Sequence, residues 1–427
     1  MSKGYTIGNA VITDGHSIFH ENGFIRIKDG KIADLGEFSE MSGTGGDYVD
    51  AGGRIIIPGL LNPHHHLYSR FAVGIVPLGP VDKLSNILKH LWWPLDRVLD
   101  EETIYYSALS GVIDSAKYGV TSIFDHHASS NYVGGSLNLI EKAFDEIGLK
   151  GALSFEISDR EGQDVFQQQL DENLAFYHEH TNSEMIKGMM GLHANFTLSQ
   201  NSLQTIKTQK PGEMPIHIHA GEGKEDLEFC QEDGFKGPVD RLNQFELLSD
   251  NSLLIHCVHT SDEDARLIRE KSPVVVSNPE SNANNNVGMM DTDKIKDYII
   301  GTDGMSGNII GSYRTHFLRR NGMVENPADK LFRRSENVIN SVFSNSGGLH
   351  KGRTADLAVL DYVPETPIKP DNLFFHLILG FGAQKTYMTI SNGEVIWKNG
   401  EIQTVDEDEI KKELKKAAKK LHERFYG

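Results

Sequence analysis

The chain reads RIIIPGLLNPHHH from Arg54 to His66, an apolar run that ends in three histidines. Residues two apart on a β-strand face the same side. His64 and His66 can therefore point two imidazoles into one cavity, while His65 points away from it. The stretch predicts a buried strand whose carboxyl end carries half of a metal site.

Three later apolar runs also end in residues that bind metals. Residues 216–222 carry His219, residues 253–259 carry His256, and residues 299–304 carry Asp303. A (β/α)8 barrel builds its active site at the carboxyl ends of its strands, which is the arrangement that these four runs require. Three imidazoles and a carboxylate are typical of one catalytic zinc or iron ion with open coordination positions. The expected ligands are His64, His66, His219 and Asp303.

The ordered set resembles the amidohydrolase superfamily, in its mononuclear deaminase and chlorohydrolase branch, over nearly the whole chain. Within that branch the sequence is most similar to the SsnA-type aminohydrolases. The finer likeness rests on residues 62–69 (NPHHHLYS), 91–97 (LWWPLDR) and 361–367 (DYVPETP), and on Asp371, Asn372, His376 and Gly380. The resemblance implies a TIM barrel flanked by a small β-sandwich.

Size and charge limit the partners. The chain has 427 residues, enough for a barrel and an accessory domain, and its net charge of -18 disfavours nucleic acid. The N-terminal residues show no secretory signal and no run is apolar enough to span a membrane. Only Cys230 and Cys257 are present, too few for a disulfide framework. We expect a cytoplasmic enzyme with a small-molecule substrate, and a homodimer.

The two ends of the chain share one pattern. Alternating apolar and polar residues fill the first 57 positions, with an Asp29-Gly30 hairpin signal, and they return at residues 355–361 and 388–400. We expect residues 1–57 and 352–405 to form a composite β-sandwich and residues 58–351 to form an α/β barrel. Residues 406–427 are expected to form a C-terminal helix that docks through an apolar stripe, although its lysines leave a membrane role open.

The resemblance also implies roles for individual residues. The ion would lower the pKa of a water toward ~7. Glu222 matches the acid/base glutamate of the family, Asp303 would accept the proton of the water, and His256 would orient or polarise the attacking water and the developing oxyanion. On residue type alone, Glu222 could instead be a helix cap and Asp303 a turn former. Because the fourth strand offers no Lys or Glu as a bridging ligand, one divalent ion is expected, zinc first and iron second.

Substrate contacts are expected after the fourth and seventh strands. His193 resembles a substrate-contacting histidine, with a buried structural histidine as the alternative. Asn282 and Asn284 belong to an asparagine-rich segment whose amides could hydrogen-bond a polar ring. Asn86 and Lys89 stand near the position where adenosine-type deaminases commonly carry a ribose-binding glutamate. This departure favours a free heterocycle over a nucleoside.

The sequence thus predicts a metal-dependent aminohydrolase that deaminates a nitrogen heterocycle, a purine or a purine-derived compound. Opening of a cyclic amide, or displacement of halide, by the same activated water is the alternative chemistry. A catalytically silent scaffold is the alternative outside enzymes, but silent members of such families usually lose ligands or the proton shuttle. All six of the expected metal and catalytic residues are present here.

Overall fold

The computed structural model describes residues 4–320 and 329–427. Its strands are β1 (Tyr5–Thr13), β2 (Phe19–Lys28), β3 (Lys31–Glu37), β4 (Asp47–Asp50), β5 (Ile55–Pro58), β6 (Leu60–His65), β7 (Val120–His127), β8 (Lys150–Phe155), β9 (Ile186–Gly188), β10 (Met190–Ala194), β11 (Ile216–Ala220), β12 (Leu253–His256), β13 (Val274–Ser277), β14 (Ile299–Ile300), β15 (Leu357–Leu360), β16 (Thr386–Ser391), β17 (Glu394–Lys398) and β18 (Glu401–Ile402).

The α-helices are α1 (Leu84–Ile87), α2 (Trp93–Val98), α3 (Glu101–Lys117), α4 (Ser136–Ile147), α5 (Gln163–Glu179), α6 (Gln200–Gln209), α7 (Lys224–Glu232), α8 (Pro238–Gln244), α9 (Asp262–Lys271), α10 (Pro279–Asn284), α11 (Ile309–Arg319), α12 (Ser335–Val342), α13 (Leu373–Phe375) and α14 (Glu407–Tyr426). Wider π-type turns occur at Leu88–Trp92, Asp329–Arg334 and His376–Phe381, and 3-10 turns at Phe38–Glu40, Leu67–Ala72 and Asn195–Thr197. In the described part of the chain, no helix combines the length and the apolar character needed to cross a membrane.

Both ends of the chain form one mixed sheet of nine strands, in the order β18-β17-β16-β15-β5-β1-β2-β3 with β4 beside β1. Distant parts of this sheet meet, because the Ala355 N–H donates to the Gly30 carbonyl and the Gly393 N–H to the Ala355 carbonyl, each at 2.9 Å. The sheet thereby encloses its own apolar core, which includes Ile25, Ile56 and Met388. The expected composite β-sandwich is confirmed, and we propose the division at residues 57/58, 351/352 and 405/406 as its domain boundaries.

The central strands form the expected barrel. Parallel pairing joins β6 to β9 in order and β10 to β14 in order. Strands β9 and β10 are two parts of one barrel strand, separated by Met189, whose N–H donates to the Leu153 carbonyl at 2.9 Å. The ring closes where the Asp303 N–H donates to the His64 carbonyl at 3.0 Å. Eight parallel strands therefore surround the barrel interior, as a TIM barrel requires.

The C-terminal helix α14 packs on α3 through its apolar stripe. Ala417, Leu421 and Phe425 are buried there. Two exposed ion pairs border the contact, from Lys420 to Glu102 and from Arg424 to Asp100, each at 2.6 Å. The lysine-rich face is thus the solvent side of a docked helix, as the spacing predicts.

A buried ion pair ties the barrel to the terminal sheet. Lys150 opens β8, and its Nζ lies 2.8 and 2.7 Å from the two carboxylate oxygens of Asp356, which precedes β15. Both residues are buried. Removal of one partner from such a pair leaves an uncompensated charge in a low-dielectric interior.

Asp356→Asn is therefore expected to lower the free energy of unfolding by about 3 kcal/mol or more, because Lys150 loses its counter-charge. Chemical denaturation at fixed metal occupancy measures the loss. The control is Glu102→Gln, which removes the exposed pair with Lys420 and should cost less than about 1 kcal/mol. Equal effects of the two substitutions would contradict the role given to the buried pair.

Candidate metal centre and active site

The strand ends bring the expected ligands together. One ligand atom each from His64, His66, His219 and Asp303 lies within 4.8 Å of the others, and all four residues are buried. His66 Nε2 is 3.1 Å from Asp303 Oδ1 and 3.2 Å from His219 Nε2. His64 Nε2 is 3.5 Å from the same Asp303 oxygen. The predicted ligand set therefore converges on one point at the mouth of the barrel.

Backbone carbonyls fix which ring nitrogens are free. His66 Nδ1 lies 2.5 Å from the His126 carbonyl, and His219 Nδ1 lies 2.9 Å from the His193 carbonyl. A carbonyl can only accept, so both Nδ1 atoms carry hydrogen and both Nε2 atoms present a lone pair when the rings are neutral. Hydrogen bonds of this kind orient metal-binding histidines in proteins.

This geometry fits a cation. Two Nε2 lone pairs at 3.2 Å repel each other unless a positive charge lies close to both. His64 Nε2 is buried and has no hydrogen-bond partner among the described residues. A divalent ion would satisfy all three nitrogens and the Asp303 carboxylate at once, and imidazole with carboxylate is a common donor set for such ions.

The pKa shifts agree with this interpretation. Burial lowers the pKa of His64 to about 3, partly offset by Asp303, and keeps the imidazole neutral and able to ligate. Burial has the same direction for His66, but the hydrogen bond and charge of Asp303 outweigh it and raise the pKa of His66 to about 9. The site thus stabilises a positive charge between His66 and Asp303.

His217 holds the His64 ring from behind. Its Nε2 lies 2.8 Å from His64 Nδ1, and both rings are buried. The alternation of β11 explains the position, since His217 and His219 lie two apart on one face of the strand. From the sequence, His217 is expected to have only a supporting or structural role, and the His-Ile-His spacing carries the signal for its contact with His64.

The expected catalytic residues form a second group beside the ligands. Glu222, His256 and Asp303 bring one ligand atom each to within 4.8 Å of the others. His256 Nε2 lies 3.6 Å from Glu222 Oε2 and 3.6 Å from Asp303 Oδ2. His256 and Asp303 adopt φ of 72° and 55°, a strained conformation for residues with side chains, which is common where an active site fixes a side-chain direction.

The asparagine-rich segment begins in helix α10 and continues past its end with Asn285, and its side chains have different partners. Asn282 Oδ1 lies 2.7 Å from His256 Nδ1, so this side chain orients His256 and does not line the cavity. Asn284 and Asn285 line the cavity. Asn285 Nδ2 donates to Glu222 Oε1 at 3.0 Å, and Ser281 Oγ donates to Asp303 Oδ2 at 2.5 Å. Asn285 and Ser281 were missed because residues four apart share a face only once the segment is known to be helical.

A cavity lies above the expected metal ligands and contains about 630 Å³ of space between atoms, part of it open to solvent. His193 lines it as expected, with Nδ1 2.8 Å from Thr197 Oγ1. The cavity has further lining residues for which the sequence predicted no function: Tyr68, Leu84, Leu88, Trp92, Trp93, Asp96, Glu156, Ser281, Asn285, Gly304 and Met305. Most of them reach the cavity from the turns and helices between Leu67 and Asp96, where no ligand-type pattern marks them.

Comparison with known proteins places the chain in a family. The sequence matches the Amidohydrolase family over residues 55–405. This match spans most of the chain, which therefore belongs to the amidohydrolase family. The superfamily that the histidine pattern resembles is thus confirmed.

Similar proteins cover nearly the full length. A 5'-deoxyadenosine deaminase of Methanocaldococcus jannaschii is 26% identical, over 90% of this chain and 93% of its own. An adenosine deaminase of Xanthomonas campestris with bound zinc has a TM-score of 0.85 at 16% identity, with 97% and 98% of the two chains covered. A mutant atrazine chlorohydrolase of Arthrobacter aurescens, complexed with zinc and atraton, has a TM-score of 0.78 at 16% identity, with 97% and 99% covered. The two structures share the fold of this chain.

Removal of the His217 ring should weaken metal binding. We expect His217→Ala to lower the zinc affinity by about 10- to 100-fold, because His64 loses its orienting partner, while His217→Gln retains most of the affinity through its amide. Competition with a chromogenic chelator measures the affinity directly. The matched control is His180→Gln. His180 is buried, its Nε2 lies 2.7 Å from Glu141 Oε1, and it does not line the cavity. An unchanged affinity in His217→Ala would refute the orienting role.

Proposed function

We propose that this protein is a metal-dependent aminohydrolase that deaminates a nitrogen heterocycle, a purine or a purine-derived compound. The observation that carries the proposal is the convergence of three imidazoles and Asp303, with Glu222 and His256 beside them, at the floor of one cavity. The full-length relative from Methanocaldococcus jannaschii, named a 5'-deoxyadenosine deaminase, supports this reaction class.

We further propose zinc as the ion, one per chain, held by His64, His66, His219 and Asp303. Zinc accepts imidazole and carboxylate ligands readily, and two structures that share this fold contain it. When bound, the ion would activate water as a nucleophile near neutral pH. A cytoplasmic location and a homodimer are also part of the proposal.

Glu222 is the proposed proton shuttle. Burial raises its pKa, although the nearby His256 acts in the opposite direction, so the carboxyl can hold a proton closer to neutral pH than an exposed glutamate. Asn285 binds Oε1, which fixes the carboxyl and leaves Oε2 on the side of His256. From there Glu222 can protonate a ring nitrogen of the substrate. The attacking water supplies two further protons as the carbonyl forms: Glu222 can pass one to the amino group, which departs as ammonia, and keep the other.

Asp303 and His256 are placed to act on the attacking water. Asp303 Oδ2 accepts from Ser281 and faces His256 Nε2, so this carboxylate is fixed where it can take the proton of the water. The Asn282 amide oxygen accepts the Nδ1 hydrogen of His256, which leaves Nε2 as an acceptor for the same water. His256 thus orients the nucleophile, and its tautomer depends on Asn282.

Ring opening or halide displacement would use the same residues. Because the fold is shared with an atrazine chlorohydrolase, halide displacement is included among the reactions to be tested. Deamination releases ammonia, ring opening adds a whole water to the product without ammonia, and dehalogenation releases halide. Metal-loaded protein should be screened against purines, pyrimidines, adenine nucleosides and chlorinated triazines, with ammonia and product mass as readouts. A silent scaffold would give no product from any of them.

Nucleosides belong in the screen together with free bases. Asn86 hydrogen-bonds Asp82 at 2.6 Å and does not line the cavity, so this position supplies no carboxylate to a ribose. Leu84 and Leu88 of the same segment do line the cavity. The absence of a carboxylate at Asn86 therefore still favours a free heterocycle as the substrate. The relative from Methanocaldococcus jannaschii, named a 5'-deoxyadenosine deaminase, favours a nucleoside instead.

Glu222→Gln should keep the metal and lose most turnover, by about 10²- to 10⁴-fold in kcat, because the amide preserves shape and cannot transfer the proton. Metal analysis and steady-state rates on the fastest substrate of the screen test this together. Near-normal turnover with full metal content would place the shuttle on another residue.

Asn284→Ala and Asn282→Ala should differ in kind. Loss of Asn284, a cavity residue, is expected to change kcat/KM unequally among at least three related heterocycles, and His193→Ala should do the same. Loss of Asn282 should lower the rate of all substrates by a similar factor, because it acts through His256. Metal content should remain constant in all three variants. Uniform effects from Asn284→Ala and His193→Ala would argue that neither residue reads the substrate.

A further inference from the structure

Two buried carboxylates line the cavity without a role in the reaction described above. Glu156 directly follows β8, and Asp96 lies on α2. Their exposed fractions are 4% and 2%. Buried carboxylates are costly unless they are paired or bind a partner, so their presence in a cavity wall needs an explanation.

Arg160 joins the two carboxylates. Its Nη2 lies 3.0 Å from Asp96 Oδ2 and 3.1 Å from Glu156 Oε1. The guanidinium also stacks over Trp93, with its central carbon 5.1 Å from the ring centroid. Arg160 does not line the cavity. Arg160 therefore fixes the two carboxylates on the side away from the cavity that they line. We call Glu156, Asp96 and Arg160 the acidic wall.

The acidic wall has unused acceptor capacity. Asp96 Oδ1 is buried and has no hydrogen-bond partner in the parts of the chain that the structure describes. An acceptor left unpaired in the interior costs about 1–3 kcal/mol. A ligand that donates a hydrogen bond to Asp96 would remove this cost.

Charge points to the same kind of ligand. The wall holds two carboxylates and one guanidinium, so one negative charge is not compensated within it. Burial, with repulsion from Glu156, raises the pKa of Asp96 to about 7 against the attraction of Arg160. A positively charged or hydrogen-donating group in the cavity would stabilise the ionised wall, and an anion would be repelled.

The wall lies where a heterocycle bound at the ligands would reach it. A Glu156 oxygen is within 4.8 Å of ring nitrogens of His126 and the metal ligand His219. Glu156 Oε1 is also 3.8 Å from His193 Nε2. Asp96 is joined to Glu156 through Arg160 and lines the same cavity, so both carboxylates belong to the space in which the heterocycle would lie.

We propose that Glu156 and Asp96 are specificity-determining residues that bind N–H, hydroxyl or ammonium donors of the substrate and exclude substrates with an anionic group on that side. The inference rests on the proposed function, since it assumes a heterocycle at the metal ligands. It adds a substrate class: neutral or cationic heterocycles with donors remote from the reacting carbon.

Three adenine derivatives that carry a cationic, a neutral and an anionic group on the N9 substituent test the proposal: 9-(2-aminoethyl)adenine, 9-(2-hydroxyethyl)adenine and 9-(carboxymethyl)adenine. Calorimetric binding to the zinc-loaded wild-type protein should be tightest for the amine, and at least about 10-fold weaker for the carboxylate than for the alcohol. Equal binding of all three, preference for the carboxylate, or no binding of any of them would overturn the proposal. Ammonia release is measured separately, so a wall that selects donors remains detectable if no derivative is deaminated.

Two variants assign the effect to the wall. Asp96→Asn and Glu156→Gln should each reduce the ratio of amine to carboxylate affinity by about 10-fold or more, because the field that repels the anion is lost. The matched control is Glu161→Gln, which removes a partly exposed carboxylate next to Arg160 that pairs with Arg97 and does not line the cavity. Its ratio should equal that of the wild type. Thermal unfolding and zinc content show whether a variant is misfolded. If a variant is misfolded, the binding of the three adenine derivatives to the wild-type protein decides the test.

Discussion

Asp303 is the residue on which barrel closure and the active site both depend. Its N–H donates to the His64 carbonyl and its carbonyl accepts from the His66 N–H at 3.4 Å and from His65 Nδ1, so its backbone joins the last strand to the first. Its side chain, directed by a φ of 55°, faces His64, His66 and His256. The seam that completes the barrel thus sets the distance between the carboxylate and its histidine partners.

Hydrogen bonds and ion pairs orient the side chains at the carboxyl ends of the barrel strands. Backbone carbonyls of His126 and His193 hold two of the rings proposed to bind the metal, and His217 holds the third. His217 lies on β11, which is not a neighbour of β6, so it reaches His64 from elsewhere in the barrel. His66 and His219 are each held by a carbonyl from the strand beside their own. A barrel offers this at every strand end, since parallel strands place backbone acceptors next to the side chains of their neighbours.

The sequence predicted the parts of the site that follow from strand periodicity. His64 and His66 could be placed on one face because side chains alternate with a period of two, and the runs that end in His219, His256 and Asp303 repeat the same signal. Asn282 was expected to face the substrate, but its side chain contacts His256 instead. Helix α10 turns successive residues by about 100°, and a segment with no secondary structure predicted for it gives no such phase. Asp96 and Glu156 could not be paired from sequence, since their contact passes through Arg160 and depends on how α2 packs against the end of β8.

In the proposed mechanism, reaction class and substrate choice therefore depend on different elements. The ligands and Glu222 follow strands of the barrel, whose geometry is shared with an adenosine deaminase and an atrazine chlorohydrolase fold at 16% identity. The segment between the first two barrel strands supplies Leu84, Leu88 and Asp96, whereas Glu156 and Arg160 of the acidic wall follow β8. A change in that segment alters what fits above the metal without displacing a strand end, because the segment packs over the mouth and adds no strand to the barrel. The fold can thus keep one hydrolytic centre while the groups facing it select different rings.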